Sequence, residues 1–180
     1  MADKIFKFKF FKKDVHEVAR ALLGQYLVKK SGDQVSKYLI TEIEIYDGPE
    51  DLASHASKGL TKRTEIMFRE GGYWYVYLIY GMYEMLNIVC GEKEYPAAIL
   101  IRGVVGLPGP GKLTKALQID RTFNGQKITP KTGLYIEKSG INLLESDIKK
   151  SQRIGVDYAG KKWASKLWRL SVDEKSLKSL

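Results

Sequence analysis

The sequence predicts an α+β fold in one compact domain, with a curved, largely antiparallel sheet approaching an open barrel, peripheral helices and a protruding β-hairpin. Three observations support this prediction. Apolar and polar residues alternate over several segments, as in half-buried strands. These segments follow one another through short turns, as in antiparallel sheets. The chain has 180 residues, 44% of them hydrophobic, which suits one core, so we assign residues 1–180 to a single domain.

A helix and a hairpin are expected first. Asp14 and Glu17 have capping-box spacing, an apolar stripe follows, and Gly24 suits a helix end, which predicts a helix at about residues 14–23. Strands at 25–30 and 35–46 then flank the turn Ser-Gly-Asp-Gln.

Alternation along residues 35–46 divides that strand into two faces. One face should carry mostly Val35, Leu39, Ile43 and Ile45. The other should carry Tyr38, Ile40, Glu42, Glu44 and Tyr46. An Asp-Gly-Pro turn ends the strand, and Asp51 is expected to begin a short helical segment that carries His55.

A second hairpin is expected in GYWYVYLIYGMYEMLNIVC, with Gly81 supplying the turn between Tyr80 and Met82. Its first arm should place Tyr75 and Tyr77 on one face and Trp74, Val76, Leu78 and Tyr80 on the other. Further along the chain we expect strands at 97–105, 133–137 and 166–172 and a helix at 112–119.

Composition limits the classes of function. A net charge of +9 favours a polyanionic partner, although surface lysines also serve solubility. One cysteine and two histidines exclude a disulfide framework and the usual structural zinc site, and we expect no metal or cofactor. The lack of a long apolar run argues against membrane association and secretion, so we expect a reduced, intracellular protein.

The segment GLPGPGK at residues 106–112 has the spacing of a phosphate-binding loop before a helix. Leu113 stands where a magnesium-binding hydroxyl is needed, and Pro108 and Pro110 lack the N–H groups that cradle phosphate. A nucleotide-hydrolysing switch is therefore disfavoured. Gly111 and Lys112 could still clamp one phosphate of a polymer, or the segment could be an ordinary loop.

Arg102 and Asn87 interrupt strands that otherwise read as buried. A buried guanidinium needs a carboxylate partner, and Glu42 and Glu44 are the candidates. Such an arginine would keep a glutamate ionised, as a base that activates water requires. The alternatives are a plain core ion pair and, for the two glutamates together, a pair of acids for sugar-bond hydrolysis.

His55 could act as an acid, a base or a hydrogen-bond donor, or could be structural. The tyrosines of the second hairpin could stack on bases or could only pack in the sheet. A carboxylate with an arginine, several aromatic residues, Tyr80 at a tight bend and a basic surface together fit chemistry on an extruded base.

Five segments carry a closer resemblance: TEIEIYDGPEDLASHA, YVYLIYGMYEMLNI, ILIRGV, GPGKLTKAL and RIGVDYAGKKWASKLWR. In this order they resemble the alkyladenine (3-methyladenine) DNA glycosylase family, from about residue 18 to residue 170. The resemblance implies a monofunctional enzyme that flips alkylated or deaminated purines out of double-stranded DNA and hydrolyses the N-glycosidic bond with water, without a metal or a covalent intermediate. We also expect the protein to act as a monomer.

The resemblance also implies residue roles. The general base falls on Glu44, the guanidinium that helps hold the water on Arg102, and a backbone carbonyl on the water on Ile154. The groups that enclose the flipped base are Tyr46, Tyr77 and His55, and Asn87 crowds the amino group of normal guanine. Tyr80 is the wedge that enters the minor groove, and we place Met82, Gly111 and Lys112 with it on the DNA-binding surface.

One departure from the family is local. Where the family usually has an Arg-Asn pair, this chain has Arg63-Thr64 in a slightly shorter segment, which leaves the geometry of that loop open.

A non-catalytic binder of damaged DNA is the alternative to a glycosylase. We expect a cytoplasmic, nucleoid-associated location in a bacterium and a nuclear one in a eukaryote.

Overall fold

An open antiparallel sheet organises the chain. The computed structural model describes residues 4–178, and nine strands of that part form one sheet. The strands are β1 (Tyr26–Ser31), β2 (Gln34–Asp47), β3 (Trp74–Ile79), β4 (Tyr83–Cys90), β5 (Ala97–Val104), β6 (Leu107–Pro108), β7 (Leu134–Glu137), β8 (Lys149–Ser151) and β9 (Arg169–Ser171). The main order is β3-β4-β5-β2-β1-β7, and all pairings are antiparallel. The predicted α+β class is confirmed.

Helices lie around the sheet. They are α1 (Val15–Leu22), α2 (Pro110–Ala116), α3 (Lys161–Ala164) and α4 (Glu174–Lys178). Short 3-10 helices also occur, among them Phe8–Lys12 before α1 and His55–Lys58 between β2 and β3. Within residues 4–178 no helix combines the length and apolarity needed to cross a bilayer.

Helix α1 forms as its sequence predicts. The carboxylate of Asp14 accepts the backbone N–H groups of His16 and Glu17 at 2.9 and 3.2 Å, which satisfies two N–H groups that have no partner inside the helix. Its buried face then packs on the core. Gly24 follows the helix with φ +73°, a conformation that glycine adopts without steric cost.

The two faces of the sheet have different uses. One face carries the main core, in which Trp74, Val76 and Ile88 are buried, and the indole N–H of Trp74 donates to the carbonyl of Leu134 at 3.1 Å. Tyr75, on the other face of β3, belongs to a separate cluster. The predicted division is confirmed for Trp74 and Val76 on one face and Tyr75 and Tyr77 on the other, and it leaves the second face for a site. Tyr80 lies in the turn beyond β3.

The two faces expected for residues 35–46 are wrong on the N-terminal side of Glu42, where Tyr38 and Ile40, both assigned to the face of Glu44, pack in or against the core. Pairing of β2 with β5 shifts register on both sides of Glu42, which is a β-bulge. Ile40 therefore lies in the same core cluster as Ile43 and Ile45, although alternation placed it on the opposite face. Val35, expected with the core residues, is 49% exposed because it lies near the hairpin end of β2.

In the C-terminal half of the chain, the bounds of a helix and a strand differ from those predicted from the sequence. Helix α2 begins at Pro110 and ends at Ala116, not at 112 and 119, because proline is well suited to the first position of a helix. The last strand is Arg169–Ser171, shorter than the predicted 166–172. Strands β6 and β8 and helices α3 and α4 were not predicted, since segments of two to five residues carry little periodicity.

The β-bulge generates a test of stability. Replacing Ile40 by alanine removes a fully buried side chain and should lower the free energy of unfolding by about 2–5 kcal/mol. Val35→Ala, the exposed control in the same strand, should change it by less than about 0.5 kcal/mol. Urea denaturation of the two variants measures both values, and equal effects would contradict the burial of Ile40 in the core.

Candidate active site

A cavity lies on the face of the sheet opposite the main core, against β3, β4 and β5. Its wall consists of Tyr46, Ala53, Ser54, His55, Met67, Tyr75, Tyr77, Asn87, Ala98 and Tyr158. All four residues assigned to base binding from the sequence belong to this set. Tyr46, Tyr77 and Asn87, which span about forty residues of the chain, meet here because β2, β3 and β4 lie in one sheet.

Glu44 is completely buried next to this cavity. One carboxylate oxygen accepts the backbone N–H of Ile154 at 2.7 Å. The other accepts the hydroxyl of Tyr46 at 3.0 Å and an N–H of Arg102 at 3.4 Å. Glu44 does not itself line the cavity; Tyr46 does, so the carboxylate lies one hydrogen bond behind the wall.

The electrostatics of Glu44 combine two opposing effects. Burial raises the pKa of its carboxyl, because desolvation disfavours the charged form. The Arg102 cation, the Ile154 N–H and the Tyr46 hydroxyl act in the opposite direction. Burial is the larger effect, so the pKa lies above its ordinary value. Tyr46 stays protonated, because burial and the neighbouring Glu44 raise the pKa of its phenol.

Arg102 has the carboxylate partner that its position in a buried strand requires, and it has two of them. Its Nε donates to Glu42 at 3.2 Å, while another nitrogen contacts Glu44. The same oxygen of Glu42 also accepts from Arg169 at 3.0 Å. Glu42 is therefore held between two cations, and it differs from Glu44 in lying partly in solvent. This asymmetry weakens the reading of the two glutamates as a pair of equivalent acids.

His55 is placed at the cavity by a local turn. It is the first residue of the 3-10 helix His55–Lys58, which is capped by the hydroxyl of Ser54. The expectation that Asp51 begins this helix was wrong: Asp51 is buried and binds Arg153. The ring of His55 lies 4.6 Å from that of Tyr77 in an edge-to-face arrangement.

The imidazole of His55 is neutral at physiological pH. Burial, with smaller contributions from Arg63 and Lys58, lowers its pKa to about 4. Its Nδ1 lies 3.0 Å from the hydroxyl of Tyr75. If that hydroxyl donates, Nδ1 is the acceptor and the other ring nitrogen carries the proton. His55 can then donate a hydrogen bond to a ligand without carrying a charge.

Asn87 is fixed by the sheet. Its amide nitrogen donates to the carbonyls of Tyr75 and Met85 at 3.0 and 3.2 Å. The side chain is buried and cannot rotate without losing both bonds. A rigid polar group in the wall can exclude a ligand that needs the same space.

The tip of the β3–β4 hairpin carries large exposed apolar groups. Tyr80 is 86% exposed and has φ +50°, a backbone conformation that is uncommon for a bulky residue and costs on the order of 1–3 kcal/mol. Met82 is also exposed. Gly111 lies beneath the hairpin, where a Cβ would come within 2.6 Å of the Tyr83 ring, so glycine is needed there for packing. Lys112 is exposed beside it.

Three contributors to the site were missed by sequence reasoning. Tyr158 lines the cavity, and its hydroxyl donates to the carbonyl of Ala53 at 2.8 Å. Arg153 and Asp51 form a buried ion pair behind it. Tyr158 and Arg153 lie in the RIGVDYAGKKWASKLWR segment, whose only assigned residue was Ile154. No local pattern indicates that residue 51 meets residue 153.

The loop that contains Arg63-Thr64, where the sequence departs from the family pattern, is held by hydrogen bonds of the Thr64 hydroxyl group. The side chain of Thr64 donates to the carbonyl of Gly59 at 2.8 Å and accepts the N–H of Thr61 at the same distance. Arg63 lies over the ring of Tyr77, 5.3 Å from its centroid. The cavity wall is therefore supported from this loop. In the part of the chain described, no cluster of three or more His, Cys, Asp or Glu residues is suited to a metal ion.

Comparison with known proteins gives a consistent family. The model of the methylpurine-DNA glycosylase family matches residues 9–108 and 106–176. Curated relatives include proteins from Borreliella burgdorferi (40% identical over 92% of this chain and 94% of the relative), Legionella pneumophila (41%, over 92% and 92%) and Myxococcus xanthus (44%, over 91% and 87%). Each is named "Putative 3-methyladenine DNA glycosylase".

The depressed pKa of His55 generates a test. Its imidazole signals in long-range ¹H–¹⁵N NMR spectra should stay those of the neutral ring from pH 8 down to pH 5 and change only near the pKa of about 4. Tyr75→Phe removes the hydroxyl beside Nδ1 and should alter the tautomer populations without charging the ring. A titration of His55 near pH 6.5, the value of an exposed imidazole, would contradict this assignment.

Proposed function

The chain belongs to the methylpurine-DNA glycosylase family, and we propose that it hydrolyses the N-glycosidic bond of alkylated or deaminated purines in double-stranded DNA after nucleotide flipping. The substrates that we propose are 3-methyladenine, 7-methylguanine, hypoxanthine and etheno-adenine. The observation that carries the proposal is the Glu44 carboxylate, held by Arg102, Tyr46 and the N–H of Ile154 beside an aromatic cavity.

In the proposed reaction, Glu44 is the general base. Its ionised carboxylate takes a proton from water as the water oxygen bonds to C1′ of the flipped nucleotide. The bond between C1′ and the purine breaks, and its electron pair leaves with the base. A cationic methylated purine departs as a neutral base, whereas neutral hypoxanthine and etheno-adenine must take up a proton as they leave. The negative charge of Glu44 also stabilises the positive charge that develops on the sugar. Water must reach Glu44 at the edge of the wall formed by Tyr46, since the carboxylate does not line the cavity itself.

Arg102 and Ile154 complete the proposed water site. The cation of Arg102 favours the ionised form of Glu44, and we propose that it also contacts the water. The N–H of Ile154 orients the carboxylate, while its carbonyl is the proposed acceptor for the water. No metal and no covalent intermediate takes part in this scheme.

We propose that the cavity selects the base. Tyr46, Tyr77 and His55 offer faces and edges that can enclose a planar purine, and the neutral His55 can donate to its edge. A cationic methylated purine gains from the π faces and leaves easily because departure removes its charge. The fixed amide of Asn87 is proposed to exclude the exocyclic amino group of normal guanine. Lesions that pair poorly also cost less to flip.

The exterior fits duplex DNA. Tyr80 is proposed as the wedge that fills the space left by the flipped nucleotide, because an exposed aromatic side chain on a strained turn contributes little to packing. Met82, Gly111 and Lys112 are proposed to contact the same groove and its phosphates. The net charge of +9 favours binding to DNA at low ionic strength. We propose that the protein acts as a monomer.

A non-catalytic damaged-DNA binder would use the same exterior. The buried glutamate separates the two functions, because a binder has no use for a carboxylate whose burial disfavours its charge. Incubation with methylated duplex DNA and detection of free base by chromatography tests the proposal. Release of 3-methyladenine or another of the four bases supports a glycosylase, and tight binding without release of any of them supports a binder.

Glu44→Gln gives a direct test of the base. This variant should lose base release by at least about 100-fold, because general base catalysis contributes on the order of 10²–10⁴, while its affinity for lesion duplex should stay within a few-fold. Single-turnover assays and a binding assay measure the two quantities. Glu42→Gln is the matched control, since Glu42 also contacts Arg102, and it should retain most of the activity. Undiminished release by Glu44→Gln would remove Glu44 from its role.

Tyr80→Ala tests the wedge. Loss of the ring should weaken binding to lesion duplex by about tenfold or more, because the unstacked step loses its filler. Binding to the same lesion in a single strand should change much less. Tyr80→Phe keeps the ring on the same turn and should restore duplex binding. Equal losses for duplex and single strand would count against a wedge.

A further inference from the structure

A second arginine lies behind Glu44. Arg153 has no exposed side-chain surface and forms a forked ion pair with Asp51, whose side chain is equally buried. Both terminal nitrogens of the guanidinium reach the carboxylate, one of them at 2.9 Å. The same nitrogens donate to the carbonyls of Ile45 at 2.9 Å and Trp163 at 3.3 Å. The group is therefore fixed in position and in plane.

Arg153 lies next to two of the three hydrogen-bond donors of Glu44. Ile154, the next residue in the chain, donates its N–H to one oxygen of Glu44 at 2.7 Å. Tyr46 donates its hydroxyl to the other oxygen at 3.0 Å, and the guanidinium of Arg153 lies 4.9 Å from the centroid of the Tyr46 ring. Only Arg102 reaches Glu44 independently of this group.

Asp51 connects the ion pair to the cavity wall through backbone hydrogen bonds. Its carboxylate accepts the N–H groups of Asp47 at 3.2 Å and Ala53 at 3.1 Å. Asp47 follows Tyr46 in β2, and Ala53 lies in the cavity wall. The ion pair thus joins the end of β2, the segment that leads to His55 and the segment that carries Ile154.

We propose that Arg153, clamped by Asp51, is a positioning residue for Glu44, which fixes both oxygens of the carboxylate by holding the Ile154 backbone and the Tyr46 ring in place. This inference rests on the proposed function. Replacement of a buried ion pair by apolar side chains is often neutral or stabilising, so packing alone does not require charge at this position. The Arg153 cation also acts against the effect of burial on the pKa of Glu44.

The test compares three variants with the wild type. Arg153→Lys keeps the charge but cannot form the fork. Arg153→Met with Asp51→Asn removes both charges and leaves no unpaired ion in the interior. Arg20→Met, at an exposed ion pair with Glu145, is the control for an ordinary arginine. Melting temperatures establish that each variant folds.

Single-turnover base release, lesion binding and the NMR titration of Glu44 are measured for each variant. Arg153→Lys should reduce single-turnover base release by about tenfold or more with lesion binding within about twofold, since misplacement of a catalytic group by about 1 Å can cost 10²-fold. In the double variant, the ¹³C NMR titration of the Glu44 carboxyl should move to higher pH, and the acid limb of base release should follow it. Arg20→Met should change none of these.

Specific outcomes overturn the inference. It fails if Arg153→Lys and the folded double variant release base at the wild-type rate, or if binding and release fall in parallel, as expected for general damage to the pocket. It also fails if the Glu44 titration does not move in the double variant. The titration needs no activity, so a wild-type protein that releases no base would refute the proposed function while the role of Arg153 is still decided by NMR.

Discussion

The site depends on one constraint: a carboxylate is held without solvent in the middle of a sheet. An isolated buried charge costs several kcal/mol or more. The carboxylate of Glu44 therefore needs hydrogen-bond donors at both of its oxygens. The structure provides a backbone N–H, a phenol and a guanidinium. Each comes from a different part of the chain, and the fold has to bring them together before the site exists.

Charges around Glu44 alternate in sign. Arg169 contacts Glu42, Glu42 contacts Arg102, and Arg102 contacts Glu44. On the other side of Glu44 lies a separate ion pair between two fully buried side chains, Arg153 and Asp51. Such an arrangement leaves no carboxylate or guanidinium of this group without an opposite charge, yet it leaves Glu44 with a pKa above its ordinary value because burial outweighs the cations. In its proposed role as general base, Glu44 is then a better proton acceptor than an exposed glutamate.

The proposed chemistry and the proposed DNA contact depend on opposite properties of the same sheet. The interior residues are rigid: Asn87 is tied to two carbonyls and His55 to a phenol. The hairpin tip is exposed and contains Tyr80 in an unfavourable backbone conformation. Asn87 lies in β4 and Tyr80 lies in the turn between β3 and β4. The length of the hairpin arms therefore sets the distance between the proposed wedge and the cavity.

The sequence by itself determined the fold class, the two hairpins and the Asp14 cap, because alternation, turn residues and capping act over a few neighbouring positions. It also determined that Arg102 needs a carboxylate. Tertiary structure alone decided the β-bulge that returns Ile40 to the core, and the pairing of Asp51 with Arg153. A bulge depends on the register of the partner strand, and an ion pair across about a hundred residues depends on the whole fold, so neither leaves a pattern in the local sequence.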